Sequence, residues 1–198
     1  MKLFFSPASP YARKVTACAI ARGIDRRIEK VPVNPNLSPP ELLLCNPLSK
    51  IPCLITDDEL ALFDSPVICE YLDSIGDALP MFPDHGAPRW RALRFQAMGD
   101  GILDASVPRR WEMLKPREDG RDAWISRQKA AVDRTLDMLE LDQPHRIVDI
   151  GSIAVACALG YLDFRLAAEP WRPERPRLAA WFSRFAENPG IAETAPRD

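Results

Sequence analysis

Apolar residues follow two different patterns along the chain, and the change between them predicts two domains. Up to about residue 78, short apolar runs typical of strands alternate with segments whose apolar residues recur at helical spacing. From residue 87 onward only helical spacing occurs, after a stretch rich in proline. We therefore predict an α/β domain over residues 1–78, a linker over residues 79–86 and an all-α domain over residues 87–198.

The first domain has the pattern of a small mixed sheet packed with helices. Its predicted strands lie at residues 3–5, 27–31, 53–56 and 60–63, and its predicted helices at residues 10–22, 39–44 and 65–75. Because a helix joins the first two strands, they are predicted to be parallel, whereas the tight acidic turn between the last two predicts an antiparallel pair. On the first helix, Arg13, Lys14 and Arg22 fall outside the apolar stripe, so we expect them to face water.

The second domain is predicted to be built around one buried helix. Residues 153–162 are apolar nearly all round, which is typical of a helix that is covered on every side. Asp149 stands ahead of this run with Ser152 at the third helical position, so Asp149 is the predicted N-cap. The long helical pattern that begins the domain has a predicted core stripe of Trp90, Leu93, Ala97 and Ile102.

Composition places the chain among ordinary globular proteins, whose expected partners are small molecules or protein. Of its 198 residues, 46% are hydrophobic and 27% are charged, and the net charge of -2 is spread without a basic cluster, so neither nucleic acid nor a membrane is an expected partner. No apolar stretch is long enough for a signal peptide or a membrane span, so we expect a cytoplasmic location. The five cysteines are odd in number and lack C-x-x-C spacing, which predicts neither a disulfide framework nor a metal site.

The first segment with a chemical signature is Ser9-Pro10-Tyr11. It follows a predicted strand and begins a predicted helix, with Pro10 where a missing N–H costs nothing and Ser9 as the N-cap. The hydroxyl of Ser9 would then lie at the positive end of a helix dipole, which favours an anion such as a thiolate. A serine that only caps the helix is the alternative, and position alone favours it.

Two further segments carry chemistry of a related kind. Pro52 opens a predicted strand, where a cis bond after Ile51 would leave the Ile51 backbone groups free to pair with an extended ligand. Ser65 is a predicted N-cap with Pro66 as the first helical residue, and the Asp64 carboxylate beside it would attract an ammonium group. An acid and a hydroxyl side by side suit an α-amino-acid head group. The alternatives are a trans bond before Pro52 and simple helix capping by Ser65.

Taken together, these three segments resemble the glutathione site of the glutathione transferases, and the resemblance spans the whole chain. Residues 6–15 resemble the start of the bacterial serine-type members, residues 46–52 resemble the motif N-P-x-G-K-V-P, and Asp64-Ser65 resembles the acid–serine pair of the family. Ser49 departs from the pattern because it replaces the glycine of that motif.

The resemblance implies a thioredoxin-like N-terminal domain, a helical C-terminal domain and a homodimer, with glutathione as co-substrate and no metal. By the same resemblance Ser9 is the catalytic residue, because its hydroxyl would donate a hydrogen bond to the glutathione sulfur and favour the thiolate. The expected glutathione-binding residues are Ser9, Lys50, Ile51, Pro52, Asp64 and Ser65. The expected electrophile pocket consists of Ala8, Tyr11, Ile102, Ser106 and Arg109.

Three functions are compatible with such a site. The first is conjugation of glutathione to a small electrophile, since a serine at this position cannot itself perform disulfide exchange. The second is a binding or interaction protein that keeps the fold without turnover. The third is a glutathione-dependent isomerase or dehalogenase, which would share the glutathione site and differ only in the pocket for the acceptor.

Overall fold

The computed structural model describes residues 1–145 and 147–198, in which a small sheet domain is followed by a helical domain. The strands are β1 (Lys2–Phe5), β2 (Glu29–Pro32), β3 (Cys53–Ile55) and β4 (Ala61–Leu62). The helices are α1 (Pro10–Ala21), α2 (Pro40–Leu43), α3 (Ser65–Ile75), α4 (Gly86–Met113), α5 (Asp119–Leu141), α6 (Ile150–Arg165), α7 (Pro176–Phe185) and α8 (Pro189–Ala192). Within these ranges no helix combines the length and the apolar character needed to cross a membrane.

The four strands form one mixed sheet in the order β2-β1-β3-β4. β1 pairs with β2 in parallel, whereas β3 is antiparallel to both β1 and β4, so the predicted pairings are confirmed. Alternate residues of β1 point to opposite faces: Leu3 joins the main core, and Phe4 packs with Leu42 of α2 on the other side. The first residues of α1 and of α3, Pro10 and Ser65, both line one cleft.

α6 is the centre of the helical domain and is buried along most of its length. Its N-terminus has the predicted cap, because Asp149 Oδ1 accepts from the Ser152 N–H at 2.7 Å and Ser152 Oγ accepts from the Asp149 N–H at 2.9 Å. α4 crosses α6 at very short range, since a Cβ at Gly99 would stand 2.6 Å from the Ala154 carbonyl carbon. Two helix backbones meet here, and only glycine leaves room for them.

The basic residues of α1 and of its C-cap are buried, which contradicts the prediction that they face water. Arg13, Lys14 and Arg22 are each less than a tenth exposed. Because α1 also packs against α6 and α8, its outer side meets fixed partners. Lys14 Nζ lies 2.6 and 2.8 Å from the two carboxylate oxygens of Asp100, and the Arg13 guanidinium donates to the Ile191 carbonyl at 3.0 Å.

The predicted core stripe of α4 is largely wrong. Trp90 is 68% exposed, Ala97 is exposed as well, and Ile102 is the one residue of the four that is fully buried. The buried face consists of Ala92, Phe95, Gln96, Gly99, Ile102, Leu103, Ala105, Ser106 and Arg109. The close crossing with α6 at Gly99 determines which side of α4 is covered, and the helix is too evenly mixed in sequence to reveal that side.

Candidate functional site

A cleft of about 1030 Å³ lies between the two domains and brings the three predicted segments together. One wall is formed by the predicted residues Ser9, Lys50, Ile51, Pro52, Asp64 and Ser65. Ala8 and Tyr11, predicted for the neighbouring pocket, also line the cleft. The opposite wall comes from α4 and α6 and is called the far wall below; it includes Asp104, Val107, Arg110, Trp111, Tyr161 and Arg165.

Ser9 caps α1 and still has a proton to give. Its Oγ accepts a hydrogen bond from the Ala12 N–H at 3.2 Å, as predicted for an N-cap, and its own N–H donates to the Ser6 carbonyl at 3.0 Å. Capping uses only a lone pair of the hydroxyl, so the O–H remains available to donate into the cleft. Pro10 follows at the first helical position and removes an N–H that would otherwise lack a partner.

The loop before β3 presents the backbone of Ile51 to the cleft. The bond between Ile51 and Pro52 is cis, so the alternative of a trans proline is wrong. Asn46 is buried and shapes the loop, because its Nδ2 donates to the Lys50 carbonyl at 2.9 Å and its Oδ1 accepts from the Leu48 N–H at 3.0 Å. Among the described residues, neither backbone group of Ile51 has a hydrogen-bond partner, so both can pair with an extended ligand.

Ser49, the departure from the family motif, adopts a left-handed backbone with φ of 50°. Glycine adopts this conformation without steric cost, whereas a serine side chain adds a steric cost. The Ser49 hydroxyl lies 3.2 Å from both the Pro35 carbonyl and the Ser38 hydroxyl, so the side chain is tied to the loop ahead of α2. Ser49 therefore adopts a backbone conformation that favours glycine.

The start of α3 differs from the prediction by one residue. The N-cap is Asp64, whose carbonyl accepts from the Ile68 N–H at 3.1 Å, and Ser65 is the first helical residue rather than the cap. The Asp64 side chain makes no capping hydrogen bond. Its carboxylate is thus free for a ligand, and Ser65, which is 1% exposed, lies beside it at the positive end of α3.

Tyr11 forms a hydrogen bond across the cleft. Its hydroxyl donates to Asp104 Oδ1 at 2.5 Å, which joins α1 to the far wall. Burial raises the pKa of Tyr11 far above its usual range, and the hydrogen bond to the Asp104 carboxylate raises it further. Tyr11 therefore stays protonated and shapes the cleft as a neutral side chain.

Three residues predicted for the electrophile pocket do not line the cleft, which corrects the sequence interpretation. Ile102 and Ser106 are fully buried inside the helical domain, and Arg109 is buried with its guanidinium 2.6 Å from Glu169. Successive helical residues are about 100° apart, so a shift of one or two positions moves a side chain to another face. The residues of α4 that do line the cleft are Asp104, Val107, Pro108, Arg110 and Trp111.

Sequence reasoning missed the contribution of α6 to the far wall. Tyr161 and Arg165 lie at the C-terminal end of a helix that its apolar run marks as buried on every side. The polar groups at the end of that run were the available signal, because a hydroxyl and a guanidinium rarely end an apolar helix without facing solvent or a cavity.

Both halves of the chain match models of known protein domains. Residues 8–75 match the model of the N-terminal domain of glutathione S-transferases, and residues 122–184 match the model of the C-terminal domain. The chain belongs to the glutathione S-transferase family. This family member is similar to an uncharacterized GST-like protein, YibF, of Escherichia coli (strain K12), with 33% identity over 99% of this chain and 98% of the relative.

Solved structures of other glutathione transferases share the complete fold. A family member from Pseudomonas fluorescens Pf-5 with bound glutathione is 39% identical with a TM-score of 0.94, covering 100% of this chain and 99% of that one. A structure with bound S-(propanoic acid)-glutathione, also from Pf-5, is 40% identical with a TM-score of 0.89 and covers 100% of both chains. A glutathione S-transferase from Methylobacillus flagellatus KT with glutathione bound is 34% identical with a TM-score of 0.89, covering 99% of each. The α/β domain and the helical domain thus form the glutathione transferase fold.

Proposed function

We propose that this protein binds glutathione and activates its thiol for transfer to a small electrophile, with Ser9 as the serine that donates to the sulfur. The observation that carries the proposal is the double use of the Ser9 hydroxyl, which caps α1 through a lone pair and keeps its proton for a ligand. The glutathione bound in two similar structures supports the same assignment.

Activation of the glutathione thiol requires a modest stabilisation of the thiolate relative to the thiol. A free thiol has a pKa of ~8.5, so lowering it by ~2 units takes ~2.7 kcal/mol in favour of the thiolate. A hydroxyl donor to a charged acceptor contributes roughly 1.5–3 kcal/mol, and a helix N-terminus adds ~0.3–1 kcal/mol. Ser9 at the start of α1 supplies both.

The remaining groups of the wall fit the rest of the tripeptide. The free Asp64 carboxylate suits the ammonium of the γ-glutamyl group, and Ser65 at the start of α3 suits its carboxylate. The unpaired backbone groups of Ile51 suit the cysteinyl unit, and Lys50 suits the glycine carboxylate. The S-(propanoic acid)-glutathione bound by a 40% identical relative supports an acceptor space next to the sulfur.

The homodimer expected from the resemblance is part of the same proposal. Val67 on α3 and Trp90 on α4 are large apolar side chains that are 47% and 68% exposed, and a partner subunit would cover them. Light scattering of the purified protein measures the oligomeric state directly. A monomer at micromolar concentration would contradict the proposed homodimer.

Three variants test the role of Ser9. Ser9→Ala removes donor and cap, whereas Ser9→Asp keeps a cap-competent side chain and replaces the donor with a carboxylate that repels a thiolate. Both should lose the ultraviolet absorbance of bound thiolate and at least tenfold in kcat/KM on a panel of electrophiles, while Ser126→Ala on the exposed side of α5 should match wild type.

Two results would contradict the proposal at different levels. Unchanged thiolate absorbance in Ser9→Ala would remove Ser9 from the mechanism. Absence of glutathione binding to the wild-type protein in calorimetry at millimolar concentration would remove the enzyme assignment and favour a non-catalytic binding protein.

A further inference from the structure

The far wall of the cleft contains a guanidinium group without a carboxylate partner. Arg110 is half-buried and lines the cleft, and no carboxylate of the described residues lies within 4.0 Å of its nitrogens. Its Cζ stands 5.0 Å from the centroid of the Trp111 ring. Stacking on an aromatic face positions the guanidinium but leaves its N–H donors unused, so Arg110 can still receive a planar anion.

Tyr161 provides a second donor in the same wall. It is 4% exposed, and its hydroxyl has no hydrogen-bond partner among the described residues. Burial raises the pKa of Tyr161, although the nearby Arg110 and Arg165 guanidinium groups oppose that rise. The hydroxyl is therefore protonated near neutral pH and can donate next to the Arg110 cation.

The other charges of the wall are already occupied. Arg165 forms an ion pair with Asp198, and Asp104 accepts the hydrogen bond from Tyr11. Asp104 and Arg110 are six residues apart on α4, which places their backbones about 9 Å apart along the helix axis. Asp104 thus lies more than one helical turn from Arg110, and its Oδ1 accepts from Tyr11.

We propose that the far wall selects electrophiles that carry a carboxylate, with Arg110 as the bidentate receptor and the Tyr161 hydroxyl as the second donor. The inference rests on the proposed function, because the selected molecule is the acceptor for glutathione. A carboxylate bound at Arg110 would leave the reacting carbon of the acceptor in the cleft, whose opposite wall contains Ser9. Arg110 and Tyr161 thus determine specificity and orientation.

A matched pair of electrophiles separates the charge from the reactivity. The pair is 4-chloro-3,5-dinitrobenzoate and its uncharged carboxamide, which react by the same displacement. The thiolate sulfur forms a C–S bond at the carbon that bears chlorine, chloride leaves with the electron pair of the C–Cl bond, and the thiol proton passes to the buffer. Uncatalysed rates, measured for each probe, correct for their different intrinsic reactivity.

The measured quantity is the ratio of kcat/KM for the benzoate to that for the carboxamide, each divided by its uncatalysed rate. Wild type should favour the benzoate, and added salt should reduce the ratio. Arg110→Gln should lower the ratio at least tenfold, because a charge-assisted bidentate contact is lost, and Arg110→Lys should give an intermediate value. Arg127→Gln, which removes an exposed charge on α5, should keep the wild-type ratio.

Binding of the two preformed glutathione conjugates distinguishes this inference from the proposed function. If neither the two probes nor the wider panel of electrophiles is turned over, but calorimetry finds the carboxylate conjugate bound more tightly than the amide conjugate in wild type and not in Arg110→Gln, the transferase proposal fails and the carboxylate receptor stands. If both probes are turned over with a ratio that Arg110→Gln leaves unchanged, the receptor is wrong and the transferase proposal stands. Equal binding of both conjugates, or of neither, also overturns the receptor.

Discussion

Adding a methyl group to α4 should change stability in opposite directions at two nearby glycines, because only one of them lies at the crossing with α6. Gly99 and Gly101 lie two residues apart in α4. A Cβ at Gly99 would stand 2.6 Å from the Ala154 carbonyl carbon and 2.7 Å from its oxygen, whereas a Cβ at Gly101 meets nothing within 4 Å. Gly99→Ala and Gly101→Ala are therefore the same substitution with opposite surroundings.

The magnitude follows from the two distances and from helix propensity. Carbon atoms in contact prefer separations of roughly 3.5–4.0 Å, so Gly99→Ala requires α4 and α6 to move apart by about 1 Å. Overpacking against backbone costs about 3 kcal/mol, partly offset by about 1 kcal/mol from replacing glycine in a helix, for a net loss of about 2 kcal/mol. Gly101→Ala keeps only the gain, about 1 kcal/mol.

Thermal and urea denaturation of both variants measure the difference. For a chain of this size, 1 kcal/mol corresponds to roughly 2–4 °C, so Gly99→Ala should melt about 4–8 °C below wild type and Gly101→Ala about 2–4 °C above it. Light scattering checks that both variants keep the oligomeric state of wild type. Equal melting temperatures for the two variants would refute the close crossing of α4 and α6.

Five further substitutions at four residues test other parts of the molecule. Asp100→Asn leaves the buried Lys14 ammonium without its carboxylate and should lower the free energy of unfolding by about 3 kcal/mol in urea denaturation. Burial alone lowers the pKa of Lys14, but Cys69 and the Asp100 carboxylate outweigh this and raise it above 10.5. Lys14 therefore contributes to the free energy of unfolding below pH 10.5, and this contribution is lost as pH rises through the folded-state pKa. The free energies of unfolding of wild type and Lys14→Met, measured by urea denaturation, should thus converge at alkaline pH. Asp149→Ala should cost about 1 kcal/mol and Asp149→Ser much less, since serine can also cap α6; equal thermal melts would contradict the cap. Asp64→Asn should weaken glutathione binding about tenfold in calorimetry without lowering the melting temperature, because the carboxylate makes no capping bond.

The parts of the site that were predictable from sequence depend on neighbours along the chain. The Ser9 cap and the Asp149 cap each arise within about three residues, so the local order of residues specifies them, whereas the cis bond before Pro52 was implied only by the family resemblance. The mixed sheet was predictable for the same reason, since short apolar runs and turns define its strands.

The errors concern side chains whose surroundings come from distant parts of the chain. Lys14 is buried because Asp100, 86 residues later, lies opposite to it. On α4, sequence reasoning assigned Arg109 to the cleft, whereas Arg110 lines it and Arg109 meets Glu169 instead. Neighbouring residues of a long mixed helix differ by about 100° in direction, and tertiary packing alone decides which of them faces a cavity.

The burial of α1 has a consequence for how this family member can be recombined with its relatives. α1 carries Ser9 at its first turn, yet its body is held by Asp100 and by the carbonyl of Ile191 near the far end of the chain. Gly190 fits so closely that a Cβ there would stand 2.8 Å from the Ala17 carbonyl oxygen. A hybrid that joins this sheet domain to the helical domain of a relative keeps the position of Ser9 only if it also inherits these matching surfaces.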